Sequence, residues 1–172
     1  NHYNMIQFKE VAITDREWIS DMMRKTGCIG SEFTFSNLFN WSASYTVRIG
    51  MAEGFLIVRS GKNNHRYMMP IGDGDITAAI AAIETEAREH KEKTLIYSLS
   101  KEATEQIEHL LPGKYIFEPV RDNFDYIYER EKLSLLPGKK LHGKRNHIAR
   151  FMENNSDWKY ERIDNRNIGE AI

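Results

Sequence analysis

The stretch "TVRIGMAEGFLIVRSGKNNHRYMMPIGDGDITAAIAAIE", Thr46 to Glu84, changes its hydrophobic period once, and that change decides the fold. Val47, Ile49 and Met51 alternate with Thr46, Arg48 and Gly50, the period of a half-buried strand. "AEG" turns the chain into "FLIVRS", and "GKNN" turns it again into "HRYMMPI", which predicts an antiparallel meander. Beyond Asp75, which suits a helix N-cap, Ile76, Ala79, Ile80, Ile83 and Ala87 recur at helical spacing. Strands therefore give way to a helix within a few residues.

Elements on either side extend this pattern. Ile6 to Val11 reads as a short strand. "TDREWISDMMRKTG" reads as a helix opened by a Thr14–Glu17 capping box, with Trp18, Ile19, Met22 and Met23 on one face and Gly27 as its stop. "SEFTFSNLFNW" predicts a second helix carrying Phe35, Leu38 and Phe39. After the central helix, "TLIYSL" reads as a buried strand. Ser100 then caps a helix with Ala103, Ile107, Leu110 and Leu111 inside, ended by Pro112-Gly113. "KYIFEPV", "NFDYIYE" and, later, "DWKYERI" read as strands, Phe124, Tyr126 and Tyr128 sharing a face; "DNRNIGEAI" opens a helix. The expected class is α+β with α/β-type layers: a mixed, mostly antiparallel sheet with helices on both faces.

Composition narrows the partners. The 172 residues are 41% hydrophobic and 11% aromatic, enough for a core and unlike a disordered chain. Lys+Arg number 24 against 25 Asp+Glu, so any attraction to nucleic acid or membrane must be local. Cys28 is the single cysteine, which excludes an internal disulfide framework. No apolar run nears the roughly 18 residues of a membrane span. A cytoplasmic location is expected.

This element order resembles the GNAT-like acyl-CoA N-acyltransferase fold. That resemblance implies a coenzyme A pyrophosphate seat after the fourth strand: Arg or Gln, two residues, Gly, one residue, then Gly or Ala. Here the loop is "MPIGDGD". Gly72 and Gly74 fit the glycine positions, but Met69 stands where a cation or amide belongs, and Asp73 and Asp75 put two carboxylates where the anion would sit. The loop is degenerate, and this half is expected to bind no cofactor. Gly72 and Gly74 then serve to shape a tight strand-to-helix turn.

The segment "GKKLHGKRNHIARF", Gly138 to Phe151, gathers five cationic side chains and no acid. Wound at about 100° per residue, Leu141, Ile148 and Met152 cluster in one arc, with Arg145 between them and Lys144 at its edge. An inward cation needs a partner, either a carboxylate such as Asp125 or a bound anion. His142 and His147 lie roughly 140° apart and cannot chelate one metal. Cys28 reads as a passive thiol, no Ser-His-Asp signature is legible, and no catalytic residue is assigned.

"SEFTFSNLFNW", "MPIGDGD", "FDYIYEREKLSLLPGKKLHGKRNHIARF" and "WKYERI" together resemble uncharacterised bacterial relatives of the phosphatidylglycerol lysyltransferase C-terminal domain. The resemblance implies two GNAT-like halves in tandem, as in the Fem peptidyltransferases, with residues 1–155 the first half and 156–172 the truncated beginning of the second. It implies transfer of an acyl or aminoacyl group by the whole protein, from acyl-CoA or aminoacyl-tRNA to an anionic lipid or peptide, at the inner face of the membrane. Carried over, Lys140, Lys144 and Arg145 face an anionic substrate at the groove between halves. The second half is the implied partner, the first half alone is expected to be inactive, and its tail is a candidate homo-oligomer contact. Two other readings stay open: a non-catalytic anion- or RNA-binding module, and an autonomous acetyl-CoA-dependent N-acetyltransferase.

Overall fold

The computed structural model describes residues 5–170, which divide into two compact units, one ending at Asp125 and the other starting at Tyr126. The first unit is built on one open, mixed sheet of six strands: β1 (Lys9–Glu10), β2 (Arg48–Ala52), β3 (Phe55–Ser60), β4 (Arg66–Met68), β5 (Ile71–Gly72) and β6 (Ile96–Tyr97). The spatial order is β1-β2-β3-β4-β6, with β5 also pairing β3. Every pair is antiparallel except β4–β6, where Tyr67 faces Ile96 and Met68 faces Tyr97 in parallel register. The meander is thus present. Glu53 and Gly54 close its first hairpin with φ of 50° and 83°, the double positive φ that matches the twist of paired strands.

Both sheet faces are covered. Phe55 and Ile57 of β3 enter a cluster with Ile76, Ala79, Ile80, Ile83 and Ala87 of α3 (Ile76–Glu89) and Ile107 of α4 (Lys101–Leu110). Their neighbours Leu56 and Val58 point the other way, to Ile19 and Met23 of α1 (Arg16–Lys25) and Phe35 and Leu38 of α2 (Phe35–Trp41). Period-two alternation along β3 therefore divides apolar residues between two cores, a pair of helices on each side. Burial on both faces also changes the expected role of Met51, which is 49% exposed at the end of β2, while Gly50 is buried. A Cβ at Gly50 would lie 2.6 Å from Ile6 Cγ2, so the glycine admits the incoming N-terminal segment.

Capping of α1 also differs from expectation. A 3-10 turn, Ile13–Asp15, precedes the helix, and Asp15 rather than Thr14 organises it. The Asp15 carboxylate accepts from the Ala12 N–H (2.9 Å), Trp18 Nε1 (3.0 Å) and Lys9 Nζ (2.5 Å). Burial raises its pKa, but these donors outweigh burial and hold it below the ordinary carboxylate value. By contrast Asp75 and Ser100 cap α3 and α4 as expected, and Thr34 caps α2.

The segments "KYIFEPV" and "NFDYIYE" form no strand, and neither does "DWKYERI". Alternating apolar residues need a neighbouring ladder to become a strand, and these segments are not among the strands of the sheet. The second unit contains α5 (Arg130–Leu135) and α6 (His142–Asn154), with 3-10 turns at Lys139–Leu141 and Ile168–Glu170, the latter within the run read as opening a helix. Ile148 and Met152 were expected to point inward; they are 48% and 43% exposed.

Candidate functional site

The basic segment occupies the second unit and is held by its own backbone. Leu136, at φ 45°, ends α5, and Gly138, at φ 77°, redirects the chain into the turn before α6. Arg145, one turn into α6, reaches back across this bend. Its Nη1 donates to the Leu136 carbonyl and, at 2.9 Å, to the Gly138 carbonyl. A carboxylate and a bound anion were the two partners left open; the acceptors within this unit are main-chain oxygens. The difference matters electrostatically, because carbonyl acceptors order a guanidinium without cancelling its charge. Lys144 Nζ sits 5.7 Å from the Tyr128 ring centroid, a cation–π contact that leaves the ammonium open. Lys139, Lys140, Lys144 and Arg145 are all exposed, and none forms an ion pair with a described carboxylate. His142 Nε2 lies 3.2 Å from Asn146 Nδ2, and no described group of three His, Cys, Asp or Glu side chains could hold a metal ion. Lys140, Lys144 and Arg145 thus lie exposed within six residues of one another along the chain.

The glycine loop in the first unit is occupied by protein. A Cβ at Gly72 would lie 2.7 Å from the Gly54 carbonyl oxygen, and one at Gly74 would lie 3.3 Å from the Glu53 oxygen and from the Phe55 ring. These glycines let the β5–α3 turn close over the β2–β3 hairpin. At the start of α3, Asp75 Oδ1 accepts from the Thr77 and Ala78 N–H groups and from the Thr77 hydroxyl. Those hydrogen bonds, the Thr77 hydroxyl first, hold the Asp75 carboxyl below its ordinary pKa. Met69 packs against the α3–α4 core.

Two further features were not found from the sequence. A groove of about 780 Å³ lies between α1 and α2, lined by Met23, Phe33, Phe35 and Phe39 together with Arg16 and Arg24. At the other end of α3, Arg59 Nη1 pairs with the buried Glu86 at 2.5 Å, and His90 Nε2 lies 3.1 Å from the same oxygen. Glu92 accepts from the Asn64 and His65 N–H groups and contacts His65 Nδ1 at 2.9 Å. Burial, then the Glu86 charge, pushes the Tyr67 hydroxyl up to about 12. The missed signal was Glu86 itself, a carboxylate on the inner arc of α3 beside Ile83 and Ala87.

The described residues thus form a mixed α+β unit followed by a helical unit that carries the basic segment. The chain belongs to the family described as phosphatidylglycerol lysyltransferase, C-terminal, whose model matches residues 23–172. It is also similar to a crystal structure of a conserved protein of unknown function from Bacteroides thetaiotaomicron VPI-5482, at 32% identity and a TM-score of 0.85. That match covers 97% of this chain and 57% of the other, so the chain spans little more than half that relative's length. No curated protein matches. No helix among the described residues is long and apolar enough to cross a membrane.

Proposed function

We propose that this chain is the first GNAT-like half of a two-domain acyl- or aminoacyltransferase and supplies its anionic-acceptor surface. The observation that carries this reading is the Arg145 brace. A guanidinium held by the Leu136 and Gly138 carbonyls is ordered without an opposing charge, and Lys140 and Lys144 add exposed cations close to it in sequence. Such an arrangement suits a phosphate or carboxylate on a lipid or peptide. The family supports a transferase; in this reading acyl-CoA or aminoacyl-tRNA is the donor to the whole protein. Lysyl and lipid specificity are not carried over.

In this reading the first half binds no coenzyme A. Asp75 already takes the N–H groups of Thr77 and Ala78 that begin α3, and its carboxylate opposes an anion there. Titration calorimetry with acetyl-CoA is expected to give no measurable heat of binding. A dissociation constant near micromolar, about −8 kcal/mol, would instead favour an autonomous acetyltransferase.

The test of the main reading uses the full-length protein and labelled aminoacyl-tRNA, with anionic vesicles and a peptidoglycan-precursor peptide as parallel acceptors. Lys140→Gln with Lys144→Gln should raise the acceptor KM while leaving the melting temperature nearly unchanged. Unaltered transfer kinetics in that double variant would defeat the assignment.

A further inference from the structure

The sides of α1 and α2 that face each other do not fill the space between them. Arg16, Ser20, Arg24 and Gly27 recur at helical spacing along α1 and past its end, so the stripe that lines the groove offers cations, a hydroxyl and a bare backbone. A Cβ at Gly27, whose φ is 68°, would meet nothing within 4 Å. The opposite wall and floor are apolar. Met23 and Phe35 are buried, and the Phe35 and Phe39 rings stack at 5.6 Å with 18° between their planes. Ile13 and Ile29 also line the groove, 60% and 86% exposed. Its charge is one-sided, because no Asp or Glu is among the lining residues. Arg24 Nη1 lies 2.9 Å from Asp21 Oδ1, which offsets that cation. Arg16 has no such offset: its guanidinium, like the Ser20 hydroxyl one turn further on, has no hydrogen-bond or ionic partner among the described residues.

We propose that this groove binds a small amphipathic acid, an apolar or aromatic body carrying one carboxylate. The site belongs to the first unit and does not depend on the transferase reading. Volume, lining and charge each narrow the occupant. The groove's volume falls within the range of small-molecule sites, about 300–1,000 Å³. Stacked phenylalanines favour a flat ring or an alkyl chain over a hydrated ion. One unopposed guanidinium balances one negative charge, its fork matches a carboxylate, and Ser20 adds a donor beside it. A fatty acid and an aryl acid share this chemistry.

Cys28 is exposed and lines the same groove, so its thiol reports occupancy. Alkylation of Cys28 by N-ethylmaleimide is followed by peptide mass spectrometry in the full-length protein, with decanoate or naphthoate as the probe. Either acid should slow the reaction about tenfold at about ten times its dissociation constant, as simple occupancy dictates. Whichever acid protects at lower concentration identifies the source. Decanol and naphthyl methanol, the same bodies without the charge, should need about tenfold higher concentrations, the ratio a charge-assisted hydrogen bond supplies. Arg16→Gln should abolish that preference and leave protection by the alcohols unchanged. No protection by either acid at millimolar concentration overturns the proposal. Equal protection by acid and alcohol, or a preference that survives Arg16→Gln, overturns it as well. Slow alkylation of the native protein without any probe, compared with the urea-unfolded chain, would mean that another segment or a second copy covers the groove, and has the same consequence. Where Arg16→Gln fails to fold, the acid-to-alcohol ratio of the wild type decides.

Discussion

Charge pairing at single residues shows how differently two arginines are used. Arg59 is enclosed: its partner Glu86 is 3% exposed, the ring of Phe8 lies 4.2 Å from its guanidinium carbon, and His90 closes the group. Removing one side of such a pair strands a buried charge. Arg59→Met should lower the stability by about 3–5 kcal/mol in urea unfolding, whereas Arg59→Met with Glu86→Leu should recover most of it. Equal losses in the single and double variants would show that the pair does not act as a unit. Arg145 has no such enclosure. Its variant Arg145→Met should speed amide exchange at the Leu136–Gly138 bend and weaken acceptor binding, with α3 and the sheet unaffected. A global drop in melting temperature would mark it as a residue that merely holds the fold.

Among the elements, the β5–α3 turn is the most tightly specified. Gly74 has φ of 150° and Gly72 faces backbone atoms rather than movable side-chain ends, so neither can be relieved by a rotamer change. Gly72→Ala is therefore expected to cost about 1–3 kcal/mol, read as a lower urea midpoint with an unchanged slope. Most of this element set was legible in advance. The meander, α3 with its Asp75 cap, and α4 with its Ser100 cap announce themselves through local period and local hydrogen bonds. Thr14 misled because a capping pattern is short and common; the burial of Asp15, which no local pattern encodes, decides the start of α1. The strand-like runs after α4 misled for a related reason: alternation records which side chains seek cover, and says nothing about whether a partner strand lies beside them. At the candidate site, the position of Arg145 on α6 was legible, but its carbonyl acceptors depend on the two left-handed residues that fold the preceding bend back.

For the whole molecule, acid sensitivity should be concentrated in three carboxyls that tie distant segments together. Asp15 joins β1 to α1, Glu84 accepts from Lys114 and Tyr115, and Glu92 holds the β3–β4 turn against the end of α3. In each case burial raises the carboxyl, but donated hydrogen bonds prevail and leave it below its ordinary value. Their contribution is complete above the unfolded-chain values near about 4 and is lost as pH falls through the lower folded values. Chemical denaturation from pH 7 downward should show stability falling mainly below about pH 4, and Glu92→Gln should flatten that fall. A steady decline beginning at neutral pH would contradict this account.

The mixed sheet also dictates an order of assembly. The β2–β3 hairpin closes over two residues, whereas β6 can join β4 only after the whole of α3 has crossed a face of the sheet. Closing the long crossover costs more chain entropy before any contact is gained, so the hairpin should form early and the parallel pair late. Substitutions such as Ile96→Val should then speed unfolding while hardly changing the folding rate, and those at Ile57 should slow folding. The nascent chain would meet the same sequence of events during synthesis: everything through β5 can collapse on its own hairpin, but the sheet stays open at one edge until residues past Tyr97 have emerged.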